Sequence, residues 1–212
     1  MFTGYFGYGA ISAVLGAVFY ANMPTRYTIG AVVPTVQYLS EATLKKISSE
    51  KDVLSAKDIK ASEIFKKAPT LVMAVRRPGC AFCREQAAEI SNVSDKLSAR
   101  GVQLIGVVHE AHGVDQFRSY LKGDVYFDQE KRFYGPKERW LPLWMGFLRL
   151  STYLNYYNTS KHGFKGNTEG EGRLLGGVYL INKNEMVFAH LEEEWGSKVD
   201  INALLQSLEK IK

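Results

Sequence analysis

A short, uncharged apolar run that leads directly into a cysteine pair constrains the fold more than any other segment. The run TLVMAV, residues 70–75, is what a β-strand buried on both faces of a sheet looks like. Residues 76–79 (RRPG) end it, and the motif CAFC, residues 80–83, follows at once. From there to about residue 100, apolar residues recur every three or four positions. This spacing predicts an amphipathic helix that Gly101 ends.

Apolar periodicity and turn residues predict further elements around this strand–helix unit. The predicted elements are helices at 36–50, 55–67, 114–121 and 201–211, strands at 102–108 and 124–128, and a hairpin of strands 178–182 and 186–191. Strands that alternate with helices, followed by a hairpin and a last helix, indicate an α/β protein. We therefore predict a mixed central sheet flanked by helices.

The N-terminal segment differs in character from the rest of the chain. No charged side chain precedes Arg26, and residues 2–23 are long enough to cross a membrane as a helix, although several glycines interrupt them. We predict that residues 1–35 form an apolar arm or membrane anchor with a linker. Residues 36–212 form the folded domain, with a helical insertion at about 137–177 before the C-terminal hairpin.

Charge and cysteine content narrow the class of protein. The net charge of +5 is spread over the chain without a basic stripe, so we predict no nucleic-acid partner. Two cysteines three positions apart do not suit a secreted disulfide scaffold, but they suit redox chemistry in a reducing compartment. The prediction from the cysteines is therefore a protein of a reducing compartment. Contact with a membrane through residues 1–25, packing of the arm on the domain, and secretion remain alternatives.

The pair Cys80 and Cys83 predicts thiol–disulfide chemistry. A thiolate is the reactive form of cysteine, and a helix N-terminus or nearby cations lower the thiol pKa. Cys80 would open the helix, with Arg76, Arg77 and Arg84 close in sequence. Cys83, one turn on, would resolve the oxidised intermediate as an internal disulfide. An external reductant would then reopen the disulfide, and no bound cofactor is predicted.

Other interpretations stay open. The two cysteines could be inert helix residues, or they could be half of a zinc site that His109 and His112 complete. The chain could also be a signalling adaptor that does not use its thiols. His162 and His190 are interpreted as surface or strand-end residues, and the aromatic stretch at 140–157 as a core-packing or interface segment.

Four segments carry a resemblance to a known family: VMAVRRPGCAFCREQAAEIS, YFDQEKRFYGP, GFKGNTEGEG and LGGVYLI. Together they resemble the A branch of the peroxiredoxin-like 2 family, and the element order above is that of a thioredoxin-like fold. The resemblance implies a redox-active dithiol at Cys80 and Cys83 and an antioxidant or redox-regulatory role in the cytoplasm. The implied partners are a thiol or disulfide protein, a small oxidant or a peroxide, with thioredoxin, glutathione or an NADPH-linked system as reductant. A sister branch resembles prostamide/prostaglandin F synthase, which makes an NADPH-linked endoperoxide reductase an alternative.

Two departures from related patterns stand out. True peroxiredoxins carry P-x-x-x-T/S-x-x-C, whereas here Arg76 stands at the proline position and Cys80 at the Thr or Ser position. This difference predicts that hydrogen peroxide turnover differs from that of a true peroxiredoxin. Thioredoxins place a cis-proline before the strand that faces the cysteine pair, but here Leu175-Gly176-Gly177 precedes that strand.

Overall fold

The computed structural model describes the backbone of residues 3–211 and the side chains of residues 8–211. The strands are β1 (Thr43–Ile47), β2 (Asp58–Lys60), β3 (Thr70–Val75), β4 (Gln103–Val108), β5 (Asp124–Asp128), β6 (Gly177–Asn182) and β7 (Glu185–Leu191). They form one sheet in the order β2-β1-β5-β4-β3-β6-β7. Since β3, β4 and β5 are parallel and the other pairings are antiparallel, the predicted mixed sheet is confirmed.

Helices cover both faces of this sheet. They are α1 (Thr3–Asn22), α2 (Thr25–Thr28), α3 (Val36–Ser40), α4 (Ala61–Lys67), α5 (Ala81–Asn92), α6 (Ser94–Ser98), α7 (Val114–Phe117), α8 (Leu143–Leu148), α9 (Leu150–Lys161) and α10 (Ile201–Ser207). Short 3-10 turns occupy Glu50–Leu54, Arg132–Tyr134 and Leu208–Lys210. In this α/β architecture, α5 is the helix that follows the interior strand β3.

The interior strand β3 confirms the prediction from the apolar run. All six of its residues are buried, because β4 and β6 flank it and helices cover both faces. Leu71 faces one core with Ile90 of α5, and Val72 faces the other core with Phe65 of α4. Each such buried side chain contributes roughly 1.5–3 kcal/mol, so this strand is a rigid base for the loop that follows it.

The predicted helix after the cysteine motif is confirmed, with a break. Cys80 has extended backbone angles and caps α5, which ends at Asn92. After the break at Val93, α6 follows and ends at Ser98. Ala87, Ile90 and Leu97 of the predicted stripe are buried, whereas Val93 lies at the break and is half-buried. Gly101 has φ of +66°, as expected of a residue that ends a helix.

The predicted helix over residues 36–50 was wrong beyond Ser40. After α3, the chain enters β1, which pairs antiparallel with both β5 and β2. In this strand Leu44 and Ile47 are buried, while Lys45 and Lys46 are more exposed. Because the two lysines interrupt the apolar run, the segment has no clear period-2 signal, and only the pairing with β5 makes it a strand.

The predicted helical insertion is present as α8 and α9. The N-terminal helix α1 packs against α8, where Tyr20 stacks on Trp144 with ring centroids 6.3 Å apart. Asn22 at the end of α1 donates to the Leu148 carbonyl at 2.9 Å and accepts from the Leu150 amide at 3.0 Å. Among the described residues, no helix is sufficiently long and apolar to span a membrane.

Candidate active site

The two cysteines lie at the junction where β3 passes into α5. Cys80 caps the helix, and Cys83 is one turn further on; the two are free thiols 4.1 Å apart. Both are buried with 4% exposure, but Cys80 lines a surface cavity and Cys83 does not border it. A small movement of either sulfur would bring the pair to the ~2.05 Å of a disulfide bond.

The Arg76 guanidinium holds the Cys80 sulfur. Its Nη2 donates to Cys80 Sγ at 3.1 Å, its Nε to Glu192 Oε1 at 3.0 Å, and its Nη1 to the Gly172 carbonyl at 2.9 Å. The side chain is 3% exposed, so these contacts are shielded from water. Charge-assisted hydrogen bonds in such surroundings are strong, and this one favours the thiolate form of Cys80.

The two thiols differ in pKa for clear physical reasons. The neighbouring Cys83 thiol and the charges of Arg76 and Arg77 hold the pKa of Cys80 well below its usual range, against the opposing effect of burial. The proximity of Cys80 and its anion, together with burial, raises the pKa of Cys83 well above its usual range. The geometry therefore suits a nucleophilic Cys80 beside a protonated Cys83.

The three arginines that the sequence places near the motif have different roles. Arg76 contacts the sulfur, whereas Arg77 Nη2 donates to the Asn167 carbonyl at 2.6 Å. Arg84 points away from the sulfur and donates to the Pro78 carbonyl, the Lys165 carbonyl and Gln116 Oε1 at 3.2, 2.9 and 2.8 Å. Arg84 thus ties the loop and α7 to the start of α5, and the expectation that it acts on the thiol is not supported.

A glycine-rich loop, residues 163–173, closes over the cysteine motif. The Asn167 amide donates to the Gly79 carbonyl at 2.8 Å. A Cβ at Gly166 would overlap the backbone nitrogen of Ala81, so only glycine allows this approach. The loop forms one wall of the site.

The cavity beside Cys80 is large and mostly apolar. It has a volume of about 1090 Å³. Aromatic side chains from α5, α8, α9 and the loops line it, among them Phe82, Phe147, Tyr153 and Trp195. Basic side chains of the glycine-rich loop and of the segment before α5 also border it. Such a site can hold an organic molecule of considerable size next to the sulfur.

Sequence reasoning missed the carboxylate that completes the site. Glu192 follows β7, is buried, and binds Arg76 from a position 116 residues further along the chain. It belongs to the run Glu192-Glu193-Glu194, which on its own looks like a solvated acidic turn. Nothing local in the sequence distinguishes the buried glutamate from its two neighbours.

The histidines do not gather around the thiols. His109 Nε2 lies 2.8 Å from the Arg76 carbonyl, and the exposed His112 lies between Glu50 and Glu169 at 3.1 and 2.7 Å. Within residues 8–211, no group of three or more His, Cys, Asp or Glu side chains is placed to hold a metal ion, and the zinc alternative has no support.

The other two histidines lie near the surface and in a strand, as interpreted from the sequence. His162 is half exposed, and its Nδ1 lies 2.5 Å from Oε1 of the buried Glu85. His190 lies in β7 and is half-buried. Neither contacts the cysteine pair, so neither is part of the candidate site.

Comparison with known proteins relates this chain to peroxiredoxins and peroxiredoxin-like proteins. Residues 89–194 match the family model described as AhpC/TSA antioxidant enzyme, a region that starts after the cysteine pair. Peroxiredoxin-like 2A of Gallus gallus is 38% identical over 97% of this chain and 91% of its own length; that of Homo sapiens is 37% identical over 97% and 89%. A solved structure of peroxiredoxin Q from Xanthomonas campestris covers 85% of this chain and 97% of its own, with a TM-score of 0.51 and 14% identity.

The fold and the relatives define a thioredoxin-fold protein of the peroxiredoxin type, with a redox role. Identity above 30% over nearly the whole chain is specific enough to name the family. The chain belongs to the peroxiredoxin-like 2A family. Membership supports peroxide or thiol partners in general.

Proposed function

We propose that this protein is a dithiol oxidoreductase with an antioxidant or redox-regulatory role, in which Cys80 is the nucleophile and Cys83 the resolving thiol. The observation that carries the proposal is the position of Arg76 Nη2, 3.1 Å from Cys80 Sγ. Cys80 alone of the pair lines the cavity, so a substrate meets this sulfur first. Cys83 lies behind it, within reach of the oxidised sulfur.

With a peroxide ROOH, the Cys80 thiolate attacks one peroxide oxygen and the O–O bond breaks. Cys80 becomes a sulfenic acid, and the leaving alkoxide takes up a proton to give ROH. The Cys83 sulfur then attacks the Cys80 sulfur, and the hydroxyl leaves as water with the Cys83 proton. Two external thiols then reduce the resulting disulfide by exchange and leave as a disulfide themselves; thioredoxin, two molecules of glutathione or an NADPH-linked system would supply them. With a disulfide substrate, Cys80 forms a mixed disulfide and Cys83 releases the second thiol.

The cavity favours an organic peroxide over hydrogen peroxide. A volume of about 1090 Å³ next to Cys80 far exceeds what a molecule of two oxygens fills. The aromatic lining would exclude water around an apolar substrate and so contribute to its binding. This observation also favours, as a second candidate function, the reduction of an endoperoxide with electrons that come from NADPH.

Cytoplasmic location is part of the proposal because the thiols are free and the reductants named above belong to a reducing compartment. Membrane contact through residues 1–25 and secretion are the alternatives. The competing proposal is a thioredoxin-fold signalling adaptor, for which the thiols would be dispensable. The two proposals differ in the expected effect of cysteine substitutions: they abolish the function of an oxidoreductase, but an adaptor keeps its function.

The test is to compare wild-type protein with Cys80→Ser and Cys83→Ser in reduction of an organic hydroperoxide, with thioredoxin, thioredoxin reductase and NADPH or with glutathione as electron donor. We expect Cys80→Ser to abolish turnover. We expect Cys83→Ser to stop after one event, with a sulfenic acid or mixed disulfide on Cys80 that mass spectrometry detects. The midpoint potential of the pair should lie at about −200 to −270 mV, the range of catalytic dithiols.

Full turnover by Cys80→Ser would refute the redox proposal, as would a Cys80 thiol that titrates at the ordinary ~8.5. Regulation of a partner that persists in the double Cys→Ser variant would favour the adaptor. A midpoint potential below about −300 mV would indicate a structural disulfide.

A further inference from the structure

The start of β6 is held by an unusual set of buried polar contacts. Glu192 accepts from Arg76 Nε through Oε1 at 3.0 Å and from the Gly176 amide through Oε2 at 2.9 Å. Its own amide donates to the Gly176 carbonyl at 3.0 Å. Both oxygens of the carboxylate are therefore engaged, one by the residue that follows β3 and the other by the residue that precedes β6.

The backbone of this glutamate is fixed as well. Arg139, which is 2% exposed, donates through Nη1 to the Glu192 carbonyl at 2.5 Å and through Nη2 to the Gly176 carbonyl at 2.6 Å. Neither contact is with a carboxylate, so this buried guanidinium serves only to join the two strand ends. The joined ends fix the backbone from which the Glu192 side chain reaches Arg76.

Gly176 occupies the position directly before β6, where thioredoxins carry a proline. A proline has no N–H, so it could not donate to Glu192 Oε2. A Cβ at this position would also overlap the carbonyl oxygen of Ala74. The missing proline thus has a physical explanation: the site uses the amide that a proline would remove.

We propose that Glu192, held by the Gly176 amide, is a positioning residue that aims the Arg76 guanidinium at the Cys80 sulfur. The proposal rests on the proposed function, in which Cys80 reacts as a thiolate. Arg76 has a long, flexible side chain, and the hydrogen bond from its Nε to Glu192 fixes the plane of the guanidinium whose Nη2 contacts Cys80. Without the carboxylate, the guanidinium would lose the contact that sets its plane, while Gly172 alone would remain to orient it.

The simplest opposing view is that Glu192 is merely a negative charge near the sulfur. A nearby like charge disfavours a thiolate, so its removal would make Cys80 easier to ionise. The positioning role predicts the opposite sign. Loss of the aligned Arg76 cation destabilises the Cys80 thiolate more than loss of the more distant Glu192 anion stabilises it. The direction of the change in Cys80 reactivity therefore decides between the two.

The experiment measures the rate of iodoacetamide alkylation of Cys80 against pH in the full chain with Cys83→Ser, which leaves one cysteine and keeps a hydroxyl donor beside it. Glu192→Gln and Glu192→Asp are compared in this background. Gln removes the charge and places a donor against Arg76 or Gly176; Asp keeps the charge but is too short to reach both. Glu193→Gln, an exposed neighbour, is the matched control.

We expect the midpoint of the alkylation profile to rise by about one pH unit or more in both Glu192 variants and to stay unchanged in Glu193→Gln. A midpoint that falls in Glu192→Gln and stays unchanged in Glu192→Asp would overturn the positioning role and leave the redox proposal intact. An ordinary midpoint in the parent protein would overturn both. Far-ultraviolet circular dichroism checks that each variant is folded, and Glu192→Asp decides the question if Glu192→Gln does not fold.

Discussion

At the scale of single residues, the site depends on a guanidinium with three different kinds of acceptor. Arg76 bridges a sulfur, a carboxylate and a backbone carbonyl. A lysine could not replace it, because an ammonium lacks the flat fork that reaches several acceptors in one plane. The sequence placed three arginines near the cysteines, but only the direction of each side chain separates the one that touches the sulfur from Arg84, which holds the loop.

Asp128, at the end of β5, gives a prediction of pH-dependent stability. The residue is fully buried; Oδ2 accepts from the Phe133 amide at 3.0 Å, while Oδ1 has no hydrogen-bond partner within the described part of the chain. Burial raises the pKa of this carboxyl to about 6. The folded protein therefore binds the proton more tightly than the unfolded chain, and stability falls as the pH rises from about 4 to about 6. Above that range the buried charge costs roughly 2–3 kcal/mol.

Asp128→Asn should remove that cost, since the amide keeps an acceptor for Phe133 and carries no charge. We expect the variant to be more stable than wild type at pH 8 by about 1–3 kcal/mol, with the advantage lost near pH 4. Urea unfolding at the two pH values measures the difference. An equal effect of the substitution at both pH values would show that the carboxyl does not titrate as the geometry implies.

At the scale of elements, a buried glutamate joins α5 to the helical insertion. Glu85 of α5 is 1% exposed and accepts from the Thr159 hydroxyl of α9, from His162 Nδ1 at 2.5 Å and from Lys198 Nζ at 2.7 Å. Burial raises its pKa, but these three donors outweigh that effect and hold the pKa below its usual range. Their contribution to stability is therefore present at neutral pH and is lost as the pH falls through the lowered pKa.

Glu85→Gln should loosen α9 from α5, because an uncharged amide forms no ion pair with Lys198. Its single oxygen can also accept from only some of the three donors that bind the carboxylate. We expect a loss of about 2–4 kcal/mol of unfolding free energy at pH 7. Glu89→Gln is the control: this residue lies one turn along α5 and is 32% exposed, and within residues 8–211 its carboxylate pairs with Lys198 alone, at 2.7 Å. Urea denaturation of both variants is the measurement, and equal losses would argue that Glu85 is no more than one surface ion pair.

At the scale of the whole molecule, exposed apolar side chains concentrate on α1, α8 and α9. Ile11, Leu15 and Phe19 of α1 and Phe147 and Leu154 of the insertion are each more than half exposed. Neither α1 nor α8 carries an ionisable acidic or basic side chain, and exposed Arg26 and Lys161 lie near the ends of this surface. Aromatic and apolar side chains bordered by cations are typical of surfaces that lie on lipid headgroups. Membrane contact through residues 1–25 therefore stays a prediction.

We expect the full chain to sediment with vesicles of phosphatidylcholine and phosphatidylserine, and the double variant Leu15→Glu with Phe19→Glu to stay in the supernatant, because two carboxylates cannot enter the apolar layer. Leu54→Glu is the control, since Leu54 is 94% exposed but lies in the Glu50–Leu54 turn on another part of the chain. Size-exclusion chromatography with light scattering tests the alternative that a second copy covers this surface. No sedimentation of wild type, or equal sedimentation of all three proteins, would contradict the prediction.

Much of the fold could be predicted from local patterns. The run at 70–75, the helix after Cys80 and the hairpin at 177–191 each carry a strong periodic or turn signal, and the structure confirms them. The strand β1 could not be predicted, since its lysines hide the alternation and its partner β5 lies some 80 residues away. Strand pairing over such distances is a tertiary effect that local propensity does not record.

The sequence by itself determined that an apolar strand would present two cysteines at the start of a helix, because burial and helix periodicity are local properties of the chain. Only the tertiary structure decided which groups surround the sulfur. Glu192, Gly172 and the glycine-rich loop come from the C-terminal half and meet Arg76 and Cys80 through sheet order and loop closure. Contacts between distant segments depend on how the whole chain packs, and that packing orients the Arg76 guanidinium toward the Cys80 sulfur.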